Sequence, residues 1–263
     1  MGTLKKESND NLIKIKDEID LDINNIKMFL SSEVEGCAEA ELDLTIKNFF
    51  KKSIDVMFVF DRSGSCAGTE IDMIRGFNSF IKHEKEKKNN DFITVSLFNQ
   101  ENKIVYDRAS TNKISEFEYQ VYGNTALYDS VCEGLMRLQE NHDDTEVIVV
   151  IMTDGEDNSS YKYDVNMTKE LISSLKNQGW HFIFLGAMDY AKKYASLLGI
   201  DKKYAEIYSP EAVYMNFKAI EKVVDDVHDR GKVSEDWAES VIDARYQIEG
   251  RKDSHVKRLG RWK

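Results

Sequence analysis

The sequence predicts an α/β fold with a doubly wound, mostly parallel central sheet flanked by helices. Apolar runs of strand length alternate with segments whose apolar residues recur at helical spacing, which is the pattern of repeated βα units. Two of these runs, residues 56–60 and 147–152, are entirely apolar. Such runs are typical of central strands that are covered on both faces. An apolar fraction of 41% is sufficient for a substantial core.

The first half of the α/β region is predicted to hold three strands and one helix. A strand ends near residue 61 and precedes a helix. The apolar residues that recur at helical spacing in it are Ile71, Ile74, Phe77 and Ile81. Residues 91–100 alternate in polarity as a half-buried strand does, and residues 102–110 form a short strand beside them. We expect a hairpin turn near Glu101 and Asn102 to join the two.

The second half continues the alternation of helices and strands. The helices are predicted at 125–139, 167–179, 190–199 and 211–229, and the strands at 146–155, 180–187 and 203–209. Gly179 is expected just beyond the end of the second of these helices, because glycine adopts the left-handed conformation there at little cost. The strand at 203–209 is expected at an edge of the sheet.

Two terminal segments flank this region, so three parts are predicted: residues 1–50, 51–232 and 233–263. Apolar residues in 12–30 step by three and four, which favours an amphipathic helix packed on the domain or against a partner. Alternation in the same stretch leaves a strand open. The C-terminal part is predicted to form a helix with a basic end. Its apolar side would contain Trp237, Val241, Ile242 and Tyr246.

Charge and cysteine usage restrict the partners and the compartment. The formal net charge is -11, which argues against nucleic acid or an anionic membrane as a partner. No stretch reaches the roughly 18 apolar residues of a membrane helix, and the first ten residues lack the apolar core of a signal peptide. Cys37, Cys66 and Cys132 form no close-spaced pair. We therefore expect a cytoplasmic protein with reduced cysteines.

Oxygen-bearing side chains follow two of the most apolar strands. Asp61, Ser63 and Ser65 come after the first strand, Thr125 opens a helix, and Asp154 ends a later strand. The carboxyl ends of parallel strands meet at one edge of a sheet, where α/β proteins bind ligands. The set holds no nitrogen or sulfur donor, so it favours Mg²⁺, with Mn²⁺ or Ca²⁺ as alternatives. Since hydroxyls outnumber carboxylates, a bound ion would keep positive character and accept an external anion.

These residues resemble the metal ion-dependent adhesion site (MIDAS) of von Willebrand factor A-type (vWA) domains. Asp61, Ser63 and Ser65 match the Asp-x-Ser-x-Ser signature of that family. Thr125 matches the threonine of its second loop, and Asp154 in "TDG" matches the aspartate of its third loop. All five positions occur in the family's order, which is far more specific than any single motif.

The resemblance covers about residues 52–229 and implies a vWA or Rossmann-like sheet. It is closest to bacterial intracellular members of unassigned role, whose first strand reads much like "VFVLDRSGSM". Cys66 stands where those proteins often carry methionine. The resemblance does not explain the two terminal segments.

The resemblance also implies a function. Ser63, Ser65 and sometimes Thr125 would contact the ion directly, whereas Asp61 and Asp154 would often act through water. A Glu or Asp carboxylate of a partner protein would fill the open coordination position. Binding would couple to movement of the last helix of the α/β region. The chain is therefore predicted to be a non-enzymatic, metal-dependent protein-binding module.

Two other functions remain open at the level of sequence. A Mg²⁺-dependent phosphatase-like enzyme would use an aspartate at the end of the first strand, but Ser63 stands where its second aspartate is needed. A metal-independent scaffold or oligomerisation protein would act through residues 1–50. A serine nucleophile is disfavoured because no histidine follows a strand next to the serine loop, and the histidines are expected at the surface. Asp129 is likewise expected to be exposed on its helix, with orientation of the Thr125 loop as the alternative.

Overall fold

The structure is a computed structural model that describes residues 53–259 apart from 116, 144 and 187–190, with side chains up to residue 250. The described residues form a six-stranded sheet with helices on both faces, so the predicted fold class is confirmed. The strands are β1 (Ile54–Asp61), β2 (Phe92–Phe98), β3 (Asn102–Ser110), β4 (Glu146–Thr153), β5 (His181–Gly186) and β6 (Ala205–Ile207). The helices are α1 (Glu70–Lys87), α2 (Leu127–Asn141), α3 (Val165–Asn177), α4 (Ala191–Leu197), α5 (Val213–Arg230) and α6 (Glu239–Leu259).

The strand order β3-β2-β1-β4-β5-β6 brings the two most apolar strands together at the centre. All neighbouring strands are parallel except β2 and β3, which form the predicted hairpin. Phe60 of β1 lies opposite Met152 of β4, so the two strands end side by side. The predicted edge strand is present as β6 but is only three residues long.

Two apolar layers enclose the sheet because successive residues of a strand point to opposite faces. Phe58 and Phe60 of β1 face α1, α5 and the start of α6, whereas Met57 and Val59 face α2, α3 and α4. Each of these four side chains is fully buried. Burying one such side chain contributes about 1.5–3 kcal/mol, so this alternation strongly fixes the register of β1.

Helices α1 and α5 approach closely on the first of these faces. Gly76 of α1 lies under the ring of Phe217 of α5, and a Cβ at residue 76 would be only 2.2 Å from a ring carbon. The ring of Phe217 also packs 6.0 Å from that of Phe60, centroid to centroid. The glycine therefore allows α5 to contact both α1 and the central strand.

A buried ion pair and a buried histidine–aspartate contact lie at the opposite end of the sheet from the strands' carboxyl ends. The Arg108 Nε atom donates to both oxygens of Asp55, at 3.0 and 3.2 Å, and the Asp55 side chain is 1% exposed. The His228 Nε2 atom lies 2.8 Å from an oxygen of Asp91, and both side chains are buried. The prediction that the histidines are surface residues is therefore wrong for His228, because α5 carries it inward against β2.

Two apolar side chains at helical spacing are exposed. Ile71 is 63% exposed and Tyr246 is 62% exposed, although both fit the apolar spacing of their helices. Ile71 lies in the first turn of α1, and the buried residues of α1 begin only at Met73. On α6 the buried contact is made by Val241 near the start of the helix. Periodicity identifies a helix face, but it does not show how far the rest of the core extends along that face.

Other predictions have mixed outcomes. Gly179 has a positive φ of 95° just beyond the end of α3, as expected. Cys66 and Cys132 are free and buried. Within the described part of the chain, none of the helices is both long and apolar enough to span a membrane. The helix predicted in residues 12–30 and Cys37 lie outside the described residues, and the boundaries at 50 and 232 stay predictions.

Candidate metal-binding site

Three loops meet at the carboxyl edge of the sheet, beyond the ends of β1 and β4. The first loop, residues 61–66, follows β1. The second, residues 119–126, precedes α2, and the third, residues 154–163, follows β4. These loops contain the five residues that the sequence predicts to be metal ligands, and they bring the side chains of those residues into one cluster.

Asp61 is the most deeply buried carboxylate of the cluster, with 1% of its surface exposed. One of its oxygens accepts a hydrogen bond from the backbone N–H of Ser63 at 2.8 Å, and the other accepts one from the Thr153 hydroxyl at 2.6 Å. Thr153 also accepts from the N–H of Gly155 at 3.2 Å. Thr153 therefore links the end of β1 to the start of the third loop.

Ser63, Ser65 and Asp154 form a chain of hydrogen-bonding oxygens. The two serine hydroxyls lie 3.1 Å apart, and the Ser65 hydroxyl donates to Asp154 Oδ1 at 2.7 Å. Ser63 is buried whereas Ser65 is exposed, so the chain runs from the base of the site to solvent. This arrangement leaves the outer oxygens within reach of a ligand.

Thr125 joins the cluster from the second loop. Its side chain is 3% exposed, and a Cβ at residue 155 would lie 3.5 Å from Thr125 Oγ1 and 3.9 Å from Ser65 Oγ. Both hydroxyls therefore face the same small space beside Gly155. The backbone N–H of Thr125 donates to Asn158 Oδ1 at 2.9 Å, and its carbonyl accepts from the N–H of Asn158 at 2.9 Å.

Backbone hydrogen bonds connect the first loop to the second. The N–H of Gly64 donates to the carbonyl of Gly123 at 2.9 Å, and the N–H of Tyr122 donates to the carbonyl of Arg62 at 2.9 Å. Gly123 has a φ of 83°, and a Cβ there would lie 1.8 Å from Gln100 Oε1. A side chain at position 123 would therefore be strained by the backbone conformation and would require the Gln100 side chain to move.

Asp129 holds the third loop in place, so the expectation that it is exposed is wrong. Its side chain is 5% exposed, and its two oxygens accept hydrogen bonds from three consecutive backbone N–H groups. The donors are Tyr161 at 3.0 Å, Lys162 at 3.0 Å and Tyr163 at 2.8 Å. A carboxylate with this many donors acts as a cap for an irregular loop, and here it positions the segment that begins with Asp154.

Cys66 and Tyr119 lie behind the first loop. The Cys66 thiol donates to the backbone carbonyl of Asp61 at 3.4 Å, and the Tyr119 hydroxyl donates to the same carbonyl. Burial raises the pKa of the Cys66 thiol, and the charges of Asp61 and Asp154 raise it further. Cys66 is therefore a neutral packing residue.

The donor set fits a hard divalent cation. Burial raises the pKa of the Asp61 carboxyl above its ordinary value of 3.8, hydrogen bonds from Thr153 and Ser63 oppose the shift, and the charge of Asp154 adds to it. Among the described residues, only Asp61, Cys66 and Asp154 form a group of acidic, histidine or cysteine side chains whose ligand atoms all lie within 4.8 Å of one another. A cation between the carboxylates would relieve their repulsion, and oxygen donors favour Mg²⁺, Mn²⁺ or Ca²⁺.

Sequence reasoning identified the five clustered side chains but missed the residues that orient them. Thr153, Tyr119 and Asn158 each hold one of the loops through a hydrogen bond described above. Asn158 could have been noticed, because it lies four residues after Asp154 in a loop rich in hydrogen-bonding side chains. Tyr119 offered no such signal, because its contact with the carbonyl of Asp61 joins residues that are 58 positions apart.

Comparison of the sequence with protein-family models and with curated proteins finds no match. Solved structures do match. The vWF domain of the type V pili tip protein Mfa5 from Porphyromonas gingivalis matches with a TM-score of 0.56 and 12% identity, over 70% of this chain and 99% of that one. The described part of this chain has a vWA-type fold.

A second match supports the same fold. The pilus adhesin SpaC from Lactobacillus rhamnosus GG, in its open conformation, aligns with a TM-score of 0.52 and 16% identity. This alignment covers 65% of the present chain but only 30% of SpaC. At these identities the similarity concerns the vWA-type fold alone, so the argument for function depends on the side chains of this chain.

Proposed function

We propose that the chain is a divalent-metal-dependent protein-binding module and not an enzyme. The observation that carries this proposal is the convergence of Asp61, Ser63, Ser65, Thr125 and Asp154, all oxygen donors, at the carboxyl edge of a vWA-type sheet. These five side chains would hold Mg²⁺, with Mn²⁺ or Ca²⁺ as substitutes. The bound ion would supply a positively charged position for a Glu or Asp carboxylate of a partner protein.

The side chains of the site have distinct tasks in this proposal. Asp61 is held at both oxygens by Ser63 and Thr153, so it provides a fixed negative charge at the base. Ser65 is exposed and its hydroxyl can turn from Asp154 to a ligand. The two carboxylates of the site would balance a divalent ion to zero net charge and would leave no excess negative charge to repel an anion. A partner carboxylate could therefore complete the coordination of the ion, even though the whole chain is acidic.

The surroundings of the serines support a binding role over hydrolysis. A serine nucleophile requires a base within hydrogen-bonding distance. Among the described residues, the hydrogen-bonding neighbours of the Ser63 and Ser65 hydroxyls are each other, Asp61 and Asp154. His228 pairs with Asp91 and His181 lies 3.7 Å from Glu146, both at the other end of the sheet.

We further propose that the module acts in the cytoplasm. Cys66 and Cys132 are free and buried, which suits a reducing compartment. Two structures that share the fold are named as pilus proteins. At identities of 12% and 16%, their location cannot be transferred to this chain. Fractionation of the source cells followed by immunodetection tests this point, and recovery outside the cytoplasmic fraction would contradict it.

The binding function is tested by capture from a lysate of the source cells, using the immobilised chain in Mg²⁺ and in EDTA. We expect at least one protein to be retained in Mg²⁺, released by EDTA and absent when Asp61→Asn is used. Asp243→Asn is the matched control, because Asp243 is exposed on α6. Capture that is indifferent to EDTA, or equal for Asp61→Asn, would contradict the proposal. Hydrolysis of p-nitrophenyl phosphate by the wild type but not by Asp61→Asn would favour the phosphatase alternative.

A further inference from the structure

A cavity of about 230 Å³ opens beside the first loop, on the face of the sheet that carries α1 and α5. Its walls come from the β2–β3 hairpin and from the segment that crosses the sheet edge before the second loop. The lining residues are Arg62, Leu97, Lys103, Val105, Glu118 and Gln120. The five residues of the proposed metal site are not among them. The volume is below the roughly 300–1,000 Å³ of pockets for drug-sized ligands, so it suits a small acid or a single side chain.

Arg62 gives this cavity a buried positive charge. The residue is only 7% exposed, and its backbone N–H donates to the carbonyl of Phe98 at 2.7 Å, which fixes its position at the end of β1. Its guanidinium lies 4.8 Å from the centre of the Tyr122 ring, and Nη1 donates to the Tyr122 hydroxyl at 3.0 Å. One edge of the guanidinium is thus occupied by a neutral partner.

The other edge of the Arg62 guanidinium is incompletely satisfied. The Nε atom is buried and has no hydrogen-bond acceptor among the described residues. Nε–H and Nη2–H are the parallel donors of the side-on fork, which matches the two oxygens of a carboxylate. A buried donor without an acceptor is costly, and a buried charge without a counter-ion is more so. Because Arg62 lines the cavity, an anion there would supply the counter-charge.

The remaining lining residues indicate the class of anion. Lys103 adds a second positive charge and Glu118 a negative one, so the lining has one positive charge in excess. Lys103 and Glu118 are both exposed, so water screens their charges more than it screens that of Arg62. Leu97 and Val105 supply an apolar wall. This combination suits a monoanion with an aliphatic body better than a phosphate dianion.

We propose that this cavity, here called the Arg62 cavity, is a carboxylate-binding site that is separate from the metal site. The carboxylate would pair with Arg62 and Lys103, and its aliphatic part would contact Leu97 and Val105. Binding would require no metal ion. The site therefore goes beyond the proposed function, and its test in EDTA is independent of whether the metal site exists.

The test is a titration of the full chain with sodium butyrate, followed by ¹H–¹⁵N NMR in EDTA at constant ionic strength. We expect saturable shifts of the Arg62 Nε–H signal and of the backbone amides of residues 103–105. Butyramide has the same shape without the charge and should give no saturable shift. Arg62→Gln should weaken butyrate binding at least about tenfold, equivalent to about 1.4 kcal/mol. Arg75→Gln is the control, because Arg75 is exposed on α1.

A second variant distinguishes loss of the cavity from misfolding of the loop that contains Arg62. Val105→Phe fills the cavity without removing a charge, and we expect it to abolish the butyrate shifts while the thermal unfolding midpoint stays close to that of the wild type. Equal shifts with butyramide, shifts that never saturate, or unchanged binding in Val105→Phe would overturn the proposal. Tighter binding of inorganic phosphate than of butyrate would overturn the assignment to a carboxylate.

Discussion

Replacement of Asp129 by asparagine should loosen the third loop without changing the size of the side chain. Asp129 accepts hydrogen bonds from the backbone N–H groups of Tyr161, Lys162 and Tyr163 through two carboxylate oxygens. An asparagine keeps one acceptor oxygen. Its NH₂ group would face a backbone N–H, so two donors would meet where a donor and an acceptor meet now.

The size of the effect follows from these contacts. Hydrogen bonds to a charged acceptor contribute about 1.5–3 kcal/mol each, and those to a neutral acceptor about 0.5–1.5 kcal/mol. Loss of one bond and weakening of two should therefore lower the free energy of unfolding by about 3.5–6 kcal/mol. For a folded region of roughly 200 residues, each kcal/mol lowers the unfolding midpoint by about 2–4 °C.

Calorimetry measures the loss of stability, and amide hydrogen exchange shows where it occurs. We expect the amides of residues 161–163 to exchange much faster in Asp129→Asn, while those of β1 and β4 stay protected. Glu140→Gln on the same helix is the matched control, since Glu140 is exposed and its variant should match the wild type. Unchanged protection of residues 161–163 would refute the role assigned to Asp129.

Three further predictions concern packing, a buried charge and pH. Gly76→Ala should lower stability by about 1–3 kcal/mol in urea unfolding, because the new methyl group meets a ring of α5, whereas Gly250→Ala, with open space around it, should not. Arg108→Gln should cost about 2–4 kcal/mol because it leaves a buried aspartate without its cation, and Arg137→Gln at an exposed pair should be neutral. Burial lowers the pKa of His181 below its ordinary value of 6.5, so the unfolded state takes up the proton first and stability falls as the pH drops below about 6.5. His181→Gln should reduce that fall, and an identical pH profile for the variant would contradict this reasoning.

The arrangement of the sheet could be predicted because two of its strands are unbroken runs of apolar residues in the sequence. The apolar runs in β1 and β4 leave no polar face, so both strands had to be central, and their ends had to meet at one edge. That single inference brings Asp61 and Asp154 together. The left-handed turn at Gly179 could also be predicted, because it depends on the conformation of a single residue.

The supporting contacts of the site could not be predicted, since they join residues that are distant in the chain. Asp129 reaches backbone groups more than thirty positions later, and Tyr119 reaches the carbonyl of Asp61 58 positions earlier. Every residue except proline has a backbone N–H group, so the sequence does not show which of these groups Asp129 binds. The sequence therefore does not distinguish Asp129 from an exposed aspartate. The burial of His228 likewise depends on the packing of α5 against β2.

The most direct test of the central claim is isothermal titration of Mg²⁺ and Mn²⁺ into the wild type, Asp61→Asn and the control Asp243→Asn. Thermal unfolding beforehand would establish that all three chains are folded. We predict saturable binding of one ion per chain to the wild type and to Asp243→Asn, and its loss in Asp61→Asn. No binding at millimolar metal, or equal binding to Asp61→Asn, would mean that the five clustered oxygens do not form a metal site.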